Sequence, residues 1–164
     1  MNENLTPSAR LYASQHQLEL AEPLGSGKDG IVLVGKRKSK PARVAIKAHR
    51  YAETYLREKL AYERLRDAEI STVLEFNVPQ LTGFDDELRV IEMTIVERPF
   101  ALDFAAAYLD RSPEFSDDVW AVWEEEKREQ FEAHWPTVQD ILSAFRGIGI
   151  YLLDVSPANI AFLD

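Results

Sequence analysis

The sequence predicts an α+β fold in which a small antiparallel sheet lobe carries one helix and is followed by an abbreviated helical lobe. Strand-like runs fill most of the first half, one helical stripe interrupts them, and the second half has mainly helical patterning. We divide the chain into an N-terminal tail at residues 1–17, a sheet lobe at 18–97 and a helical lobe at 98–164. The polar first segment is expected to form a mobile tail or a short helix.

Composition indicates a globular protein and excludes several classes of partner. The 164 residues are 46% hydrophobic and 29% charged, and the net charge of −9 opposes binding to nucleic acid or an anionic membrane. No apolar run reaches the roughly 20 residues of a membrane span, and the N-terminus lacks the apolar core of a secretory signal. Cysteine is absent, and His16, His49 and His134 lack metal-ligand spacing, so we interpret them as incidental. We expect a cytoplasmic protein.

Four segments of the predicted sheet lobe, residues 18–97, are predicted to be strands. Residues 18–24 alternate between apolar and polar, and residues 31–35 are rich in β-branched side chains. Residues 43–47 form a third run that ends in Lys47, and residues 88–96 form another. The short spacing between the first three favours antiparallel hairpins over parallel strands joined by helices.

A helix is predicted from about residue 53 to residue 67. Its apolar side chains recur at helical spacing and define the face turned toward the sheet. These side chains are Tyr51, Tyr55, Tyr62 and Leu65. Glu58 lies in the middle of this face, where a carboxylate must be paired with a buried partner or point toward a cation.

The second half is predicted to contain three helices. Pro99 interrupts the last strand-like run, so residues 97–99 are a natural connector. The helices are expected at residues 101–109, from a Ser116 cap to about residue 133, and from near Pro136 to Gly147 or Gly149. The apolar sides of the last two comprise Val119, Trp120, Trp123 and Phe131, then Val138, Ile141, Leu142 and Phe145.

A glycine-rich turn is the first feature with chemical meaning. Gly25, Gly27 and Gly30 lack a Cβ, which lets the backbone bend sharply and approach a phosphate closely. A strand rather than a helix follows, so the turn does not fit the dinucleotide-binding pattern. The remaining interpretations are a glycine loop over phosphates and an ordinary turn. Lys47 could place an ammonium beside such a phosphate.

The order of four motifs resembles that of the protein-kinase-like superfamily over most of the chain. Gly25-Ser-Gly-Lys-Asp-Gly-Ile-Val comes first, followed by Val44-Ala-Ile-Lys, a helical glutamate, and Asp154-Val-Ser-Pro-Ala-Asn. The resemblance implies an ATP-binding, nucleotide-dependent transferase with a kinase-like fold. It implies that Lys47 contacts the α- and β-phosphates and pairs with Glu58, or alternatively with Glu63.

The same resemblance implies roles for the other site residues. Asp154 would be the catalytic aspartate that accepts or orients the acceptor's proton, working with Lys47, and Asn159 would bind Mg²⁺. The backbone of residues 92–97 would meet the adenine ring. The nucleotide-binding set is Gly25, Ser26, Gly27, Gly30, Val32, Ala45, Lys47 and Glu58. The implied cofactors are ATP and Mg²⁺.

Three departures from the family pattern affect this expectation. Leu152 stands where the family usually has His or Tyr, and Ser156 replaces a common lysine. The family's second metal-binding aspartate, in an Asp-Phe-Gly segment, is expected downstream of Asn159, and Asp164 lacks the following glycine. We therefore expect a kinase-like domain truncated after the catalytic loop, with reduced or no activity, as in a pseudokinase.

Two alternatives stay open from the sequence. One is a catalytically inactive kinase-like module that binds a protein partner or a second copy of itself. Its binding surface would be apolar and exposed around Trp120, Phe145 and Ile150. The other is an N-terminal fragment of a longer kinase.

Overall fold

The structure, a computed structural model, describes residues 4–163 and has the predicted α+β class. Residues 1–3 of the predicted segment 1–17 and Asp164 of the predicted segment 98–164 lie outside this range. The helices are α1 (Thr6–Gln15), α2 (Ala52–Asp67), α3 (Asp117–Phe131) and α4 (Trp135–Gly147). The strands are β1 (Leu18–Ser26), β2 (Gly30–Arg37), β3 (Arg43–His49), β4 (Thr72–Val73), β5 (Phe76–Asn77), β6 (Leu81–Asp85), β7 (Val90–Thr94), β8 (Phe100–Ala101), β9 (Tyr108–Leu109), β10 (Ile150–Tyr151) and β11 (Ile160–Ala161).

The largest sheet is antiparallel and has the strand order β1-β2-β3-β7-β6. The three sequence-predicted hairpin strands are adjacent in it, and β7 occupies the centre of the predicted run at residues 88–96. Lys47 pairs with Val32 on one side and with Ile91 on the other. The lysine is therefore held in the middle of the sheet.

Two smaller sheets join segments that are distant in sequence. One has the order β11-β8-β5-β4, in which only the β5–β8 pair is parallel, and the other is the antiparallel pair β9–β10. As a result, the segment that follows Pro99 lies directly beside the segment that follows Asn159.

Helix α1 realises the short-helix alternative for the first segment. Ala9, Tyr12 and Ala13 are buried, and they form a small core with Leu18 and residues of β3 and β7. Proline in the first turn suits the start of this helix. The described part of the first segment therefore packs against the sheet.

Helix α2 matches its sequence prediction closely. Tyr55, Tyr62 and Leu65 are buried as expected, whereas Tyr51, which precedes the helix, is 52% exposed. The main hydrophobic core extends from α2 and β7 to α3 and α4, and so it includes residues on both sides of residue 97.

The two C-terminal helices also form where they were predicted. The Val119 amide donates to Ser116 Oγ at 3.3 Å, which caps the first turn of α3. Helix α4 buries Val138, Ile141 and Phe145. Helix α3 lies closer to the surface than predicted, since Val119 is half exposed.

The prediction of a helix at residues 101–109 is wrong. The segment forms β8, a turn and β9, and Asp103 has a positive φ of 73° that a right-handed helix cannot accommodate. Ile160 pairs with Ala101, and Ile150 pairs with Leu109. These long-range partners override the local helical preference of the alanine-rich segment.

The prediction of an apolar surface around Trp120, Phe145 and Ile150 is wrong for Phe145 and Ile150. Phe145 and Ile150 have no exposed surface, and Trp120 is partly buried between Phe115 and Trp123. Phe145 packs against Phe104, which arrives from the β8–β9 segment. Within residues 4–163, no helix is long and apolar enough to cross a membrane.

Two glycines at the end of α4 give a test of this local structure. Gly149 has a φ of +80°, and an added Cβ would crowd Asp110 Oδ1 at 2.7 Å and the Arg64 guanidinium. A Gly149→Ala substitution should lower the free energy of unfolding by about 1–2 kcal/mol.

Gly147→Ala is the matched control, because Gly147 ends the helix with open space around its Cα and without positive φ. It should leave stability unchanged or raise it by up to about 1 kcal/mol. Urea denaturation of both variants checks the pair, and equal effects would contradict the described backbone.

Candidate functional site

A cleft of about 610 Å³ lies between the largest sheet and the segments that contain β8 and β11. Every site residue predicted from the sequence lines this cleft. They are Gly25, Ser26, Gly27, Gly30, Val32, Ala45, Lys47, Glu58, Asp154 and Asn159. Residues from positions 25 to 159 of the chain therefore meet around one cavity.

Glycine occupies the three positions of the turn for different structural reasons. A Cβ at Gly30 would collide with the carbonyl oxygen of Ala48 on β3, so glycine is needed there for strand packing. A Cβ at Gly25 or Gly27 would meet nothing within 4 Å. At these two positions the absent side chains leave the backbone open toward the cleft.

Lys47 and Glu58 form a buried ion pair at the back of the cleft. Lys47 Nζ lies 2.8 Å from Glu58 Oε2 and 3.1 Å from Glu58 Oε1, and both residues are buried. Glu63, the alternative partner, lies instead near Lys59, at 3.9 Å. The Lys47–Glu58 pair joins β3 to α2.

Electrostatics keeps both members of this pair charged. Burial by itself lowers the pKa of Lys47, but the carboxylates of Glu58 and Asp103 outweigh burial and raise it. Burial raises the pKa of Glu58, yet the charge of Lys47 and the hydrogen bond and charge of His49 give a net lowering. The cleft thus presents a permanent ammonium.

Asp103 is a member of the site that the sequence interpretation missed, because it falls in the segment predicted to be a helix. Its Oδ1 lies 3.3 Å from Lys47 Nζ and accepts a hydrogen bond from the Ala105 amide at 3.3 Å. Phe104 is fully buried against Tyr62 of α2, with 5.1 Å between ring centroids. The one available signal was an isolated carboxylate within an apolar run.

The environment of Asp103 disfavours its negative charge. Burial raises the pKa of the carboxyl, and the nearby carboxylates of Glu58 and Asp154 raise it further against the attraction of Lys47. An additional cation beside Asp103 would relieve this repulsion. Carboxylate oxygens are ligands that Mg²⁺ accepts.

Backbone pairing places Asn159 next to Asp103. The Leu102 amide donates to the Asn159 carbonyl at 2.9 Å, and Asn159 Nδ2 donates to the Asp154 carbonyl at 3.1 Å. Asp154 is exposed to solvent in the cleft. Two carboxylates and one carboxamide therefore line the same part of the cavity.

The connector after β7 forms another wall of the cleft. Met93 to Val96 line it together with Leu24, Val32 and Ala45, which makes this part mainly apolar. Glu92 is buried on the opposite face, where Arg37 and Thr82 donate hydrogen bonds to its carboxylate. Its side chain is not part of the cleft wall.

His49, interpreted from the sequence as incidental, contacts the ion pair directly. Its Nε2 lies 3.2 Å from Glu58 Oε2, and the imidazole is buried. The alternation of side chains along β3 puts residues 47 and 49 on the same face of the sheet. This alternation was the sequence signal that connected His49 to Lys47.

The residues of the described chain do not form a complete metal cage. Across residues 4–163, no group of three or more His, Cys, Asp or Glu side chains is arranged to hold a metal ion. Asp103, Asp154 and Asn159 offer oxygen atoms for a partial shell, which suits Mg²⁺ that also binds phosphates and water.

The unfavourable environment of Asp103 predicts that Asp103→Asn stabilises the free protein. The pKa of the Asp103 carboxyl is higher in the folded protein than in the unfolded chain. The folded protein therefore loses stability as the pH rises from the lower to the higher of these two pKa values. At pH 8 the variant should melt about 2–4 °C higher than the unmodified protein, equivalent to about 1 kcal/mol. The difference should shrink as the pH approaches the ordinary aspartate range.

Thermal melts between pH 5 and pH 8 check this, with Asp140→Asn, an exposed position on α4, as control. The prediction would be contradicted if Asp103→Asn melted at a lower temperature than the unmodified protein at pH 8. That result would show that the attraction of the Asp103 carboxylate to Lys47 outweighs its burial and its repulsion by nearby carboxylates.

Comparison with protein-family models and with curated proteins finds no match for this chain. The functional assignment therefore depends on the cleft residues, on their chemistry and on the order of their motifs.

Proposed function

We propose that this chain binds Mg²⁺–ATP and transfers its γ-phosphoryl group by protein-kinase-like chemistry. The observation that carries the proposal is the convergence of Lys47, Asp103, Asp154 and Asn159 on one cleft beneath a glycine-containing turn. This convergence unites a phosphate-binding cation with oxygen ligands for a metal and a candidate base.

Asp103 supplies the carboxylate that the sequence interpretation sought downstream of Asn159. It is followed by Phe104 and Ala105, so the segment is similar to the family's Asp-Phe-Gly with alanine in place of glycine. In this chain the segment precedes Asp154 by about fifty positions, and the β8–β11 pair brings it back beside Asn159. We therefore propose a kinase-like site assembled in a rearranged chain order.

Each residue has a distinct proposed role in binding. The Lys47 ammonium binds phosphate oxygens while Glu58 fixes its position, and the open backbone at Gly25 and Gly27 leaves room for phosphates. Asp103 and Asn159 would hold Mg²⁺, which when bound neutralises phosphate charge. The apolar wall from Met93 to Val96 suits an adenine ring.

The proposed transfer needs a single general base. A hydroxyl oxygen of the acceptor forms the new bond to the γ-phosphorus as the bond to the β–γ bridging oxygen breaks, and ADP leaves. The exposed Asp154 carboxylate accepts the hydroxyl proton. Lys47 stabilises the charge that develops on the phosphate oxygens.

A catalytically inactive interaction module is the second candidate. It is favoured by exposed apolar side chains on and beside α3, where Phe115, Val119 and Val122 are 45%, 49% and 61% exposed. In that case the ion pair of the cleft would serve to hold α2 against the sheet. Nucleotide binding separates the two candidates.

Thermal-shift titration with ATP tests the leading proposal. Saturating Mg²⁺–ATP should stabilise the protein by about 2.7 kcal/mol at a hundredfold excess over Kd, and omission of Mg²⁺ should reduce the shift. Lys47→Met should weaken binding at least about tenfold, or 1.4 kcal/mol, because the phosphate-binding cation is lost.

Lys59→Met is the matched control, since Lys59 is a similarly buried, ion-paired lysine outside the cleft. Asp154→Asn should keep the thermal shift and lose ATP turnover, because its proposed role is proton transfer. Equal ATP shifts in Lys47→Met and Lys59→Met would contradict the proposal, and a complete absence of shifts would favour the interaction module.

A further inference from the structure

A buried histidine shares the carboxylate that holds Lys47. His49 ends β3 two positions after Lys47, and its imidazole has no exposed surface. Its Nε2 lies 3.2 Å from Glu58 Oε2, while Lys47 Nζ lies 2.8 Å from the same oxygen. Glu58 is thus held from two directions by residues of the same strand.

The hydrogen-bond partners of the two ring nitrogens of His49 determine how many protons the imidazole carries. Nδ1 lies 3.1 Å from the carbonyl oxygen of Arg89, which also accepts the His49 backbone amide at 2.9 Å. A carbonyl oxygen only accepts hydrogen bonds, so Nδ1 must carry a proton. An ionised carboxylate is likewise only an acceptor, so Nε2 must carry a proton as well.

The other groups around the imidazole are compatible with a ring that carries two protons. Attraction to Lys47 and the hydrogen bond from His49 keep the pKa of Glu58 below its ordinary value despite burial, so Glu58 is an acceptor. The Tyr55 ring of α2 meets the imidazole edge-on at 5.5 Å, and its hydroxyl donates to Asp86. The Arg89 guanidinium donates to the Arg50 carbonyl.

We propose that His49 is a positioning residue whose imidazolium holds Glu58 and leaves the charge of Lys47 available to the phosphates of a nucleotide. With an imidazolium, the ionised side chains of Lys47, His49, Glu58 and Asp103 carry no net charge, whereas with a neutral imidazole they carry a net charge of −1. A polyphosphate would then meet a negatively charged cluster. This inference rests on the proposed function of the cleft.

The protonation state of His49 can be measured without nucleotide. The chain has three histidines, so ¹H–¹⁵N correlation spectra of the imidazole rings can be assigned with His16→Gln, His49→Gln and His134→Gln. At pH 7.5, both ring nitrogens of His49 should bear a proton and show hydrogen-bonded proton signals. A neutral ring with one protonated nitrogen would overturn the inference.

The effect on the nucleotide is measured by ATP affinity at pH 7.5. His49→Leu should weaken Mg²⁺–ATP binding by about tenfold, the effect expected of one lost charge acting across several ångströms of protein. His134→Gln, whose ring stacks on Phe162 at 3.9 Å, is the control.

The outcomes separate this inference from the proposed function. If the unmodified protein binds no nucleotide, the proposed function fails and the role in phosphate binding fails with it, while the ring spectra still decide whether His49 is a cation. If Lys47→Met loses binding but His49→Leu keeps the affinity of the unmodified protein, the function stands and the His49 inference is overturned. Where His49→Leu does not fold, His49→Gln replaces it in the titration.

Discussion

The buried ion pair between Lys47 and Glu58 is the interaction on which the site depends. Burying either charge alone would cost several kcal/mol, so the two residues must meet, and they hold β3 and α2 in one relative position. A hydrophobic pair would fill this space at less cost. The ion pair instead leaves an ammonium at the back of the cleft, which is the group that the proposed function uses. His49 and Asp103 then extend the pair into a network of four ionisable groups.

The position of Asp103 follows from packing on both sides of it. Phe104 is buried between Tyr62 and Phe145, and the Leu102 amide is bonded to the Asn159 carbonyl. These contacts hold a carboxylate whose own charge is disfavoured, so the hydrophobic core offsets an electrostatic cost at the cleft. A charged side chain held where its charge lowers the stability of the protein is typical of functional sites.

The sequence predicted those parts of the protein that local patterns determine. The helical stripe placed Glu58 toward Lys47, and capping and proline positions located α3 and α4. The segment at residues 101–109 could not be predicted in this way, because its structure depends on pairing with strands about fifty residues away. Asp103 was missed for the same reason. Phe145 was expected at the surface because the helical lobe was predicted to be truncated, whereas Phe104 packs against it.

A relaxation measurement with Mn²⁺–ATP in place of Mg²⁺–ATP locates the bound ion directly. Paramagnetic broadening of backbone amide signals reports which residues lie near the bound ion. We expect the signals of residues 102–105 and 158–160 to broaden together with those of the glycine turn at 25–30, while those of α1 do not. Broadening that spares residues 102–105, or that is centred elsewhere on the molecule, would contradict this expectation.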